Sequence, residues 1–131
     1  MNFDEVRAEF ECLPTIPPTE VTLAFIDKVL TVRNTPPVYR SDFAEIISDL
    51  ITSLTDNYAS VTHEQTLKII EWVGENWDES DLGYIDLLIS IVANTEVLPA
   101  RAFLKSKLRG ATGTQVKSML IDMDKELSGY E

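Results

Sequence analysis

The sequence predicts an all-α fold on three observations. Apolar residues recur at spacings of three and four almost throughout, no useful length alternates as a half-buried strand would, and proline pairs and capping residues cut the chain into short segments. With 131 residues and 44% hydrophobic content, the chain has the size of a single helical domain, residues 1–131. Such a domain buries roughly two-thirds of its unfolded surface around one core. The expected architecture is six or seven short antiparallel helices, arranged as a compact bundle or as a short α-solenoid-like stack of helical hairpins.

Phe3, Val6 and Phe10 predict a first helix, stopped by the LPTIPP segment at residues 13–18, where prolines remove donors and disfavour helix before them. A second helix is expected from about Thr19 to Arg33, ending ahead of the NTPP segment that begins at Asn34. Ser41 is placed to cap a third, whose stripe of Phe43, Ile46, Ile47, Leu50, Ile51 and Leu54 runs to about Asn57. Thr62 and Gln65 form a capping-box pattern opening a fourth, with Leu67, Ile70, Val73 and Trp77 expected on its core face.

Asp78 begins the next start signal. The fifth helix, near Glu79 to Asn94, carries Leu82, Ile85, Leu88, Ile89 and Val92 on one side and Tyr84, Leu87 and Ile91 behind, the pattern of a central buried helix. Pro99 suits the first turn of a sixth helix, and Gly110 its end, after Lys105, Lys107 and Arg109 complement the C-terminal dipole. Thr112 or Thr114 starts the last, with Val116, Leu120, Met123 and Leu127 inward. Successive helix pairs are offset by about 34 to 38 residues, near the hairpin period of α-solenoids, but no residue-level signature repeats with them. Bundle and solenoid therefore both stay open.

The formal charge of −11 is unevenly placed: between Ser41 and Glu96 twelve acids face only Lys68, while the two ends balance. Such a field repels nucleic acid and membrane surfaces and attracts basic proteins. The acidic start MNFDEVRAEFECLP is unlike a secretory signal, and the longest uncharged apolar run, Leu87 to Thr95, is far below the roughly 20 residues of a bilayer span. Cys12 is the single cysteine, so no internal disulfide is expected and the cytoplasm is the default location.

Catalytic equipment is sparse. A calcium loop begun at Asp78 would place Leu82 and Ile89 where ligands belong, His63 is the one histidine, and no phosphate-cradling glycine motif occurs. Neither metal nor cofactor is expected, and Asp78, Glu79 and Asp81 fit better as acids at a helix N-terminus. The basic run ARAFLKSKLRG, interleaved with Phe103, Leu104 and Leu108, fits an amphipathic helix.

The acids are more informative on helical geometry. Asp42, Glu45, Asp49 and Asp56 fall in one narrow sector opposite the third helix's apolar stripe, with no basic residue at i+4. Solubility explains the polarity of that row but not its single sign, so recognition of a partner and a merely solvated face are the two readings it carries. Trp72 lies about 130° from the expected core face of the fourth helix, beside Glu64, Glu71 and Glu75. It is either an interface anchor or a packing residue against a neighbouring helix. The candidate partner-binding set is Asp42, Glu45, Asp49, Asp56, Glu71, Trp72, Glu75, Asp78 and Glu79.

In overall character, the stretch from PPVYRSDFAEIISDLI through KIIEWVGENWDESD to YIDLLISIVAN resembles helical bacterial immunity proteins of contact-dependent growth inhibition and colicin systems, a likeness that covers roughly residues 36–127. No diagnostic motif accompanies the likeness, so no family binding residue transfers to a position here. The resemblance implies a non-enzymatic inhibitor that occludes a cognate basic toxin domain, an RNase or DNase, without itself touching nucleic acid or membrane. The alternative expectation is a small helical scaffold or adaptor, binding another protein through a solenoid-like surface.

Overall fold

Helical period and local punctuation together set the architecture. The computed structural model describes residues 1–33, 35–111 and 113–130 and, among them, contains seven α-helices, one 3-10 turn and no strand. The helices are α1 (Phe3–Glu11), α2 (Thr19–Val29), α3 (Arg40–Asp56), α4 (His63–Glu75), α5 (Leu82–Ala93), α6 (Val97–Gly110) and α7 (Thr114–Ser128), with the 3-10 turn at Pro37–Tyr39. They gather into two compact units, residues 1–61 and 62–131.

In the first unit α3 is the organiser, because α1, α2 and the 3-10 turn all pack on it. Phe43, Ala44, Ile46, Ile47, Leu50, Ile51 and Leu54 are buried along one face. Each large apolar side chain so buried contributes about 1.5–3 kcal/mol. Phe25, Ile26 and Val29 of α2 and Phe3 and Val6 of α1 complete this core. Asn2 caps α1 by accepting from the Glu5 amide at 2.9 Å. The Phe3 ring stacks on Tyr39 at 5.1 Å and tilts against Phe43 at 6.2 Å, which joins α1 to the last residue of the 3-10 turn and to the start of α3.

Two expected boundaries shift here. The second helix stops at Val29 rather than Arg33, because the amides of Thr31 and Val32 bond to Lys28 and Val29, closing a tighter i→i−3 turn. The Thr31 hydroxyl also donates to the Lys28 carbonyl at 2.6 Å, and Arg33 Nη1 to that of Leu30 at 2.9 Å. Asn34, expected just beyond, lies outside the described residues. Ser41 is not the cap of α3: the helical path already begins in the 3-10 turn, where Pro37 pre-sets φ and the Tyr39 amide bonds to the Pro36 carbonyl.

α3 ends in a Schellman motif. The Tyr58 amide donates to Thr55 O and the Ala59 amide to Leu54 O, leaving Tyr58 at φ 57° in the left-handed region where glycine is usual. A side chain there costs about 1–2 kcal/mol. Asn57, the cap residue, donates from Nδ2 to the carbonyl of buried Pro17 at 3.2 Å, fastening the proline segment to the end of α3.

The second unit consists of two stacked helical hairpins, α4/α5 and α6/α7. Partners touch within each hairpin, first helix meets first (α4 on α6) and second meets second (α5 on α7). As expected, α5 is its central helix, touching the other three, with Tyr84, Ile85, Leu88, Ile89, Ile91 and Val92 buried. Its start falls at Leu82 rather than near Glu79, because the Asp81 carboxylate, not Asp78, caps it by accepting from the Tyr84 amide at 3.1 Å. Thr114 begins α7 behind Gly113, while Thr112 lies outside the described residues.

The capping box of α4 is present in both directions, but its core face is rotated from the expected one. Gln65, Thr66, Ile69, Trp72 and Val73 face inward, and Leu67 is 51% exposed. Two polar residues, Gln65 and Thr66, take core positions while apolar Leu67 does not. Asn76 terminates α4, its amide and Nδ2 both bonded to Trp72 O, so Trp77 lies beyond the helix and cannot define its face. Gln65 tolerates burial because its Oε1 accepts from the Thr62 amide at 3.1 Å.

Thr66 is fully buried and its hydroxyl has no hydrogen-bond partner among the described residues. An unsatisfied buried hydroxyl costs about 1–3 kcal/mol, whereas an isosteric methyl costs nothing of that kind. Thr66→Val is therefore expected to raise stability by about 1 kcal/mol, read as a higher urea midpoint at unchanged slope.

Candidate functional site

The buried face of α3 fixes where its other face points. Asp42, Glu45, Asp49 and Asp56 are all exposed, as the helical spacing requires. Asp42 lies in the first turn, where the helix dipole favours a carboxylate. Asp42, Glu45 and Asp49 line a surface depression of about 300 Å³ together with Glu11, Phe10, Ile46 and Arg7. Phe10 and Ile46 give it an apolar part; four carboxylates give it its sign.

Arg7 is the cation that helical spacing could not reveal, because it comes from α1. Its guanidinium is already engaged: Nη2 lies 3.3 Å from Asp4 Oδ1, and Cζ sits over the rings of Phe3 at 5.1 Å and Tyr39 at 5.3 Å. The depression therefore keeps an acidic excess. Such a surface can hold a lysine or arginine side chain, with the apolar residues against its stem and carboxylates around its head.

The other expected residues belong to the second unit. Glu71 and Glu75 are exposed on α4, near the Glu64–Lys68 pair at 3.2 Å. Trp72 does not stand outward as an interface anchor would: it is 7% exposed, because α4 is rotated so that Ile69, Trp72 and Val73 share the inward face. The packing alternative is the one realised. Trp77, expected in the core, is half-buried at the helix end, edge-on to Phe103 at 5.8 Å with Lys107 Nζ 5.3 Å above it.

Asp78 and Glu79 precede the helix rather than open it, and both have local roles. Asp78 Oδ1 accepts from the Ser80 amide at 3.0 Å and hydroxyl at 2.6 Å, and Glu79 Oε2 accepts from Trp77 Nε1 at 3.0 Å. They shape the α4–α5 turn. Of the nine expected residues, the α3 row is thus the coherent surface, and Glu71 and Glu75 are exposed acids on a different unit.

Elsewhere, His63 Nδ1 lies 2.8 Å from Glu96 Oε1, tying the first residue of α4 to the cap of α6 with both side chains open to solvent. Cys12 is exposed at the end of α1, on a mostly apolar groove of about 530 Å³ lined by Ala8, Leu13, Val21, Ala24 and Phe25, with the Glu9–Lys28 pair at its rim. Among the described residues, no group of three or more His, Cys, Asp or Glu is placed to hold a metal ion. No helix of the described residues is long and apolar enough to cross a membrane.

Asp124 also serves structure. Arg101 Nε donates to Asp124 Oδ1 at 2.9 Å, joining α6 to α7. That hydrogen bond is the largest cause holding the Asp124 carboxyl below its usual range; partial burial opposes it, and the charges of Arg101 and Lys105 reinforce it. No protein family model matches the chain, and neither the curated proteins nor the solved structures contain a match.

Trp72→Ala should destabilise the fold by about 3–5 kcal/mol, the cost of emptying a buried aromatic site, measured by urea denaturation. Asp124→Asn should cost about 1 kcal/mol at neutral pH, because the Arg101 pair is only partly shielded from water. The folded-state pKa of Asp124 is depressed, so its stabilisation is complete above the unfolded value near 3.9 and disappears as pH falls through the lower folded value. Urea midpoints of wild type and variant should therefore converge only in acid, below about pH 4.

Proposed function

We propose that this chain is an immunity protein that binds a basic toxin domain of the nuclease class and covers its active-site cleft with the outward face of α3. The observation that carries this is the exposed row Asp42, Glu45, Asp49 and Asp56 on a helix locked in rotation by its buried stripe. Clefts that bind RNA or DNA must be basic, and a fixed row of carboxylates is complementary to them. Inhibition of this kind is steric and electrostatic, with no bond made or broken. The excess of twelve acids over one base in residues 41–96 would steer the encounter, and the depression beside Glu45 would seat a cationic side chain of the toxin.

A helical scaffold or adaptor is the second reading, favoured by the two stacked hairpins of residues 62–131. Gene order separates the two, since an immunity gene directly follows that of a large secreted toxin.

The test is the triple variant Asp42→Lys, Glu45→Lys and Asp49→Lys, mixed with the C-terminal domain of the protein encoded immediately upstream. Association should slow by about tenfold or more at low salt, and the difference should shrink in 1 M salt, where charges are screened beyond about 3 Å. Circular dichroism should be unchanged, the three positions being exposed. Association at the wild-type rate would remove the electrostatic basis of the proposal.

A further inference from the structure

We propose that Tyr58 is the aromatic anchor of the partner-binding surface, stacking on a lysine or arginine side chain of the basic protein that α3 attracts. The inference rests on the proposed function in taking the partner to be basic, but it stands on different observations.

The first is backbone strain. Tyr58 closes the Schellman motif of α3 at φ 57°, a position that glycine fills at least cost. Strain of this kind at a bulky residue points to a use for the side chain. The second is exposure: the side chain is 100% exposed, so burial of the ring in its own unit does not compensate the strained backbone.

The third is the surroundings. The Asn57–Pro17 hydrogen bond brings the loop carrying Ile16 against the end of α3, and with Pro17 buried the adjacent Ile16 is left 74% exposed. The hydrogen bond thus fastens the backbone segments that carry Tyr58 and Ile16, each next in sequence to one of its two partners, and both side chains are open to solvent.

Charge complementarity identifies the occupant. Asp42, Asp49 and Asp56 repeat at seven-residue spacing along one side of α3, and Asp56 comes two residues before Tyr58. An aromatic side chain two residues from the last carboxylate of an acidic row suits a guanidinium or ammonium, which can stack on the ring and pair with an acid. A second copy of this chain, bearing the same negative row, is the poorer match.

The experiment measures Tyr58→Gly, Tyr58→Ala and Tyr58→Phe for stability in urea and for binding to the C-terminal domain of the protein encoded upstream. Tyr58→Gly should raise the urea midpoint by relieving the left-handed backbone, yet its complex should dissociate about tenfold faster. Tyr58→Ala should show the same faster dissociation without the stability gain, and Tyr58→Phe should bind as wild type. Association rates should stay unchanged in all three, unlike the charge reversals on α3, because an uncharged anchor acts on dissociation. Wild-type dissociation of the glycine and alanine variants would overturn the anchor alone if the charge reversals still slow association. An unchanged urea midpoint for Tyr58→Gly would also overturn it, by removing the strain. If the wild-type chain forms no complex with that domain, the anchor and the proposed function fall together.

Discussion

Burial of the α3 stripe is the constraint on which the first unit depends. Phe43, Ile46, Ile47, Leu50, Ile51 and Leu54 leave α3 a single rotation compatible with keeping apolar surface from water, and α1, α2 and the proline corner all dock on that face. The direction of every other side chain on the helix follows. Asp42, Glu45, Asp49 and Asp56 point outward because the opposite face is spoken for, and their spacing converts a core-packing decision into a row of carboxylates. Fold and candidate surface are thus two faces of one element.

That link explains how much was legible in the sequence. The α3 stripe, the capping box at Thr62 and Gln65 and the apolar circumference of α5 are local signals of helical period, and the elements form where these place them. Signals that require knowing where a helix stops were less secure. Trp77 has the periodicity of an α4 core residue but follows Asn76, which ends the helix, and Leu67, apolar and on the same expected face, is 51% exposed. A buried glutamine and threonine at positions 65 and 66 concealed the true face, since polarity alone argues against burial. Arg7 beside the acidic row and the Arg101–Asp124 pair join different helices, so spacing within one helix could not reveal them.

The carboxylates divide by what they touch. Asp81 caps α5, Asp78 and Glu79 accept hydrogen bonds within their turn, and Asp124 is held by Arg101, so their charge is committed to local structure. Against these, Glu45 and Asp49 lie in mid-helix, where neither a cap nor the helix dipole calls for an acid, and line the same depression on the outward face. The distinction matters more than the total of −11, because net charge governs solubility and steering, whereas a docking surface needs acids fixed in direction on a rigid element.

Both features that point to binding are local costs placed on the best-buried helix of the first unit. Like charges at helical spacing cost a few tenths of a kcal/mol per pair, and a left-handed tyrosine about 1–2 kcal/mol. Lysines among the acids and a glycine at position 58 would both be cheaper. The buried α3 side chains contribute about 1.5–3 kcal/mol each, so the helix forms despite these penalties. Under the proposed function, uniform sign and strained closure share an explanation in terms of what α3 presents to a partner, one that solubility alone does not provide, since a mixed-sign surface would dissolve as well and fold better.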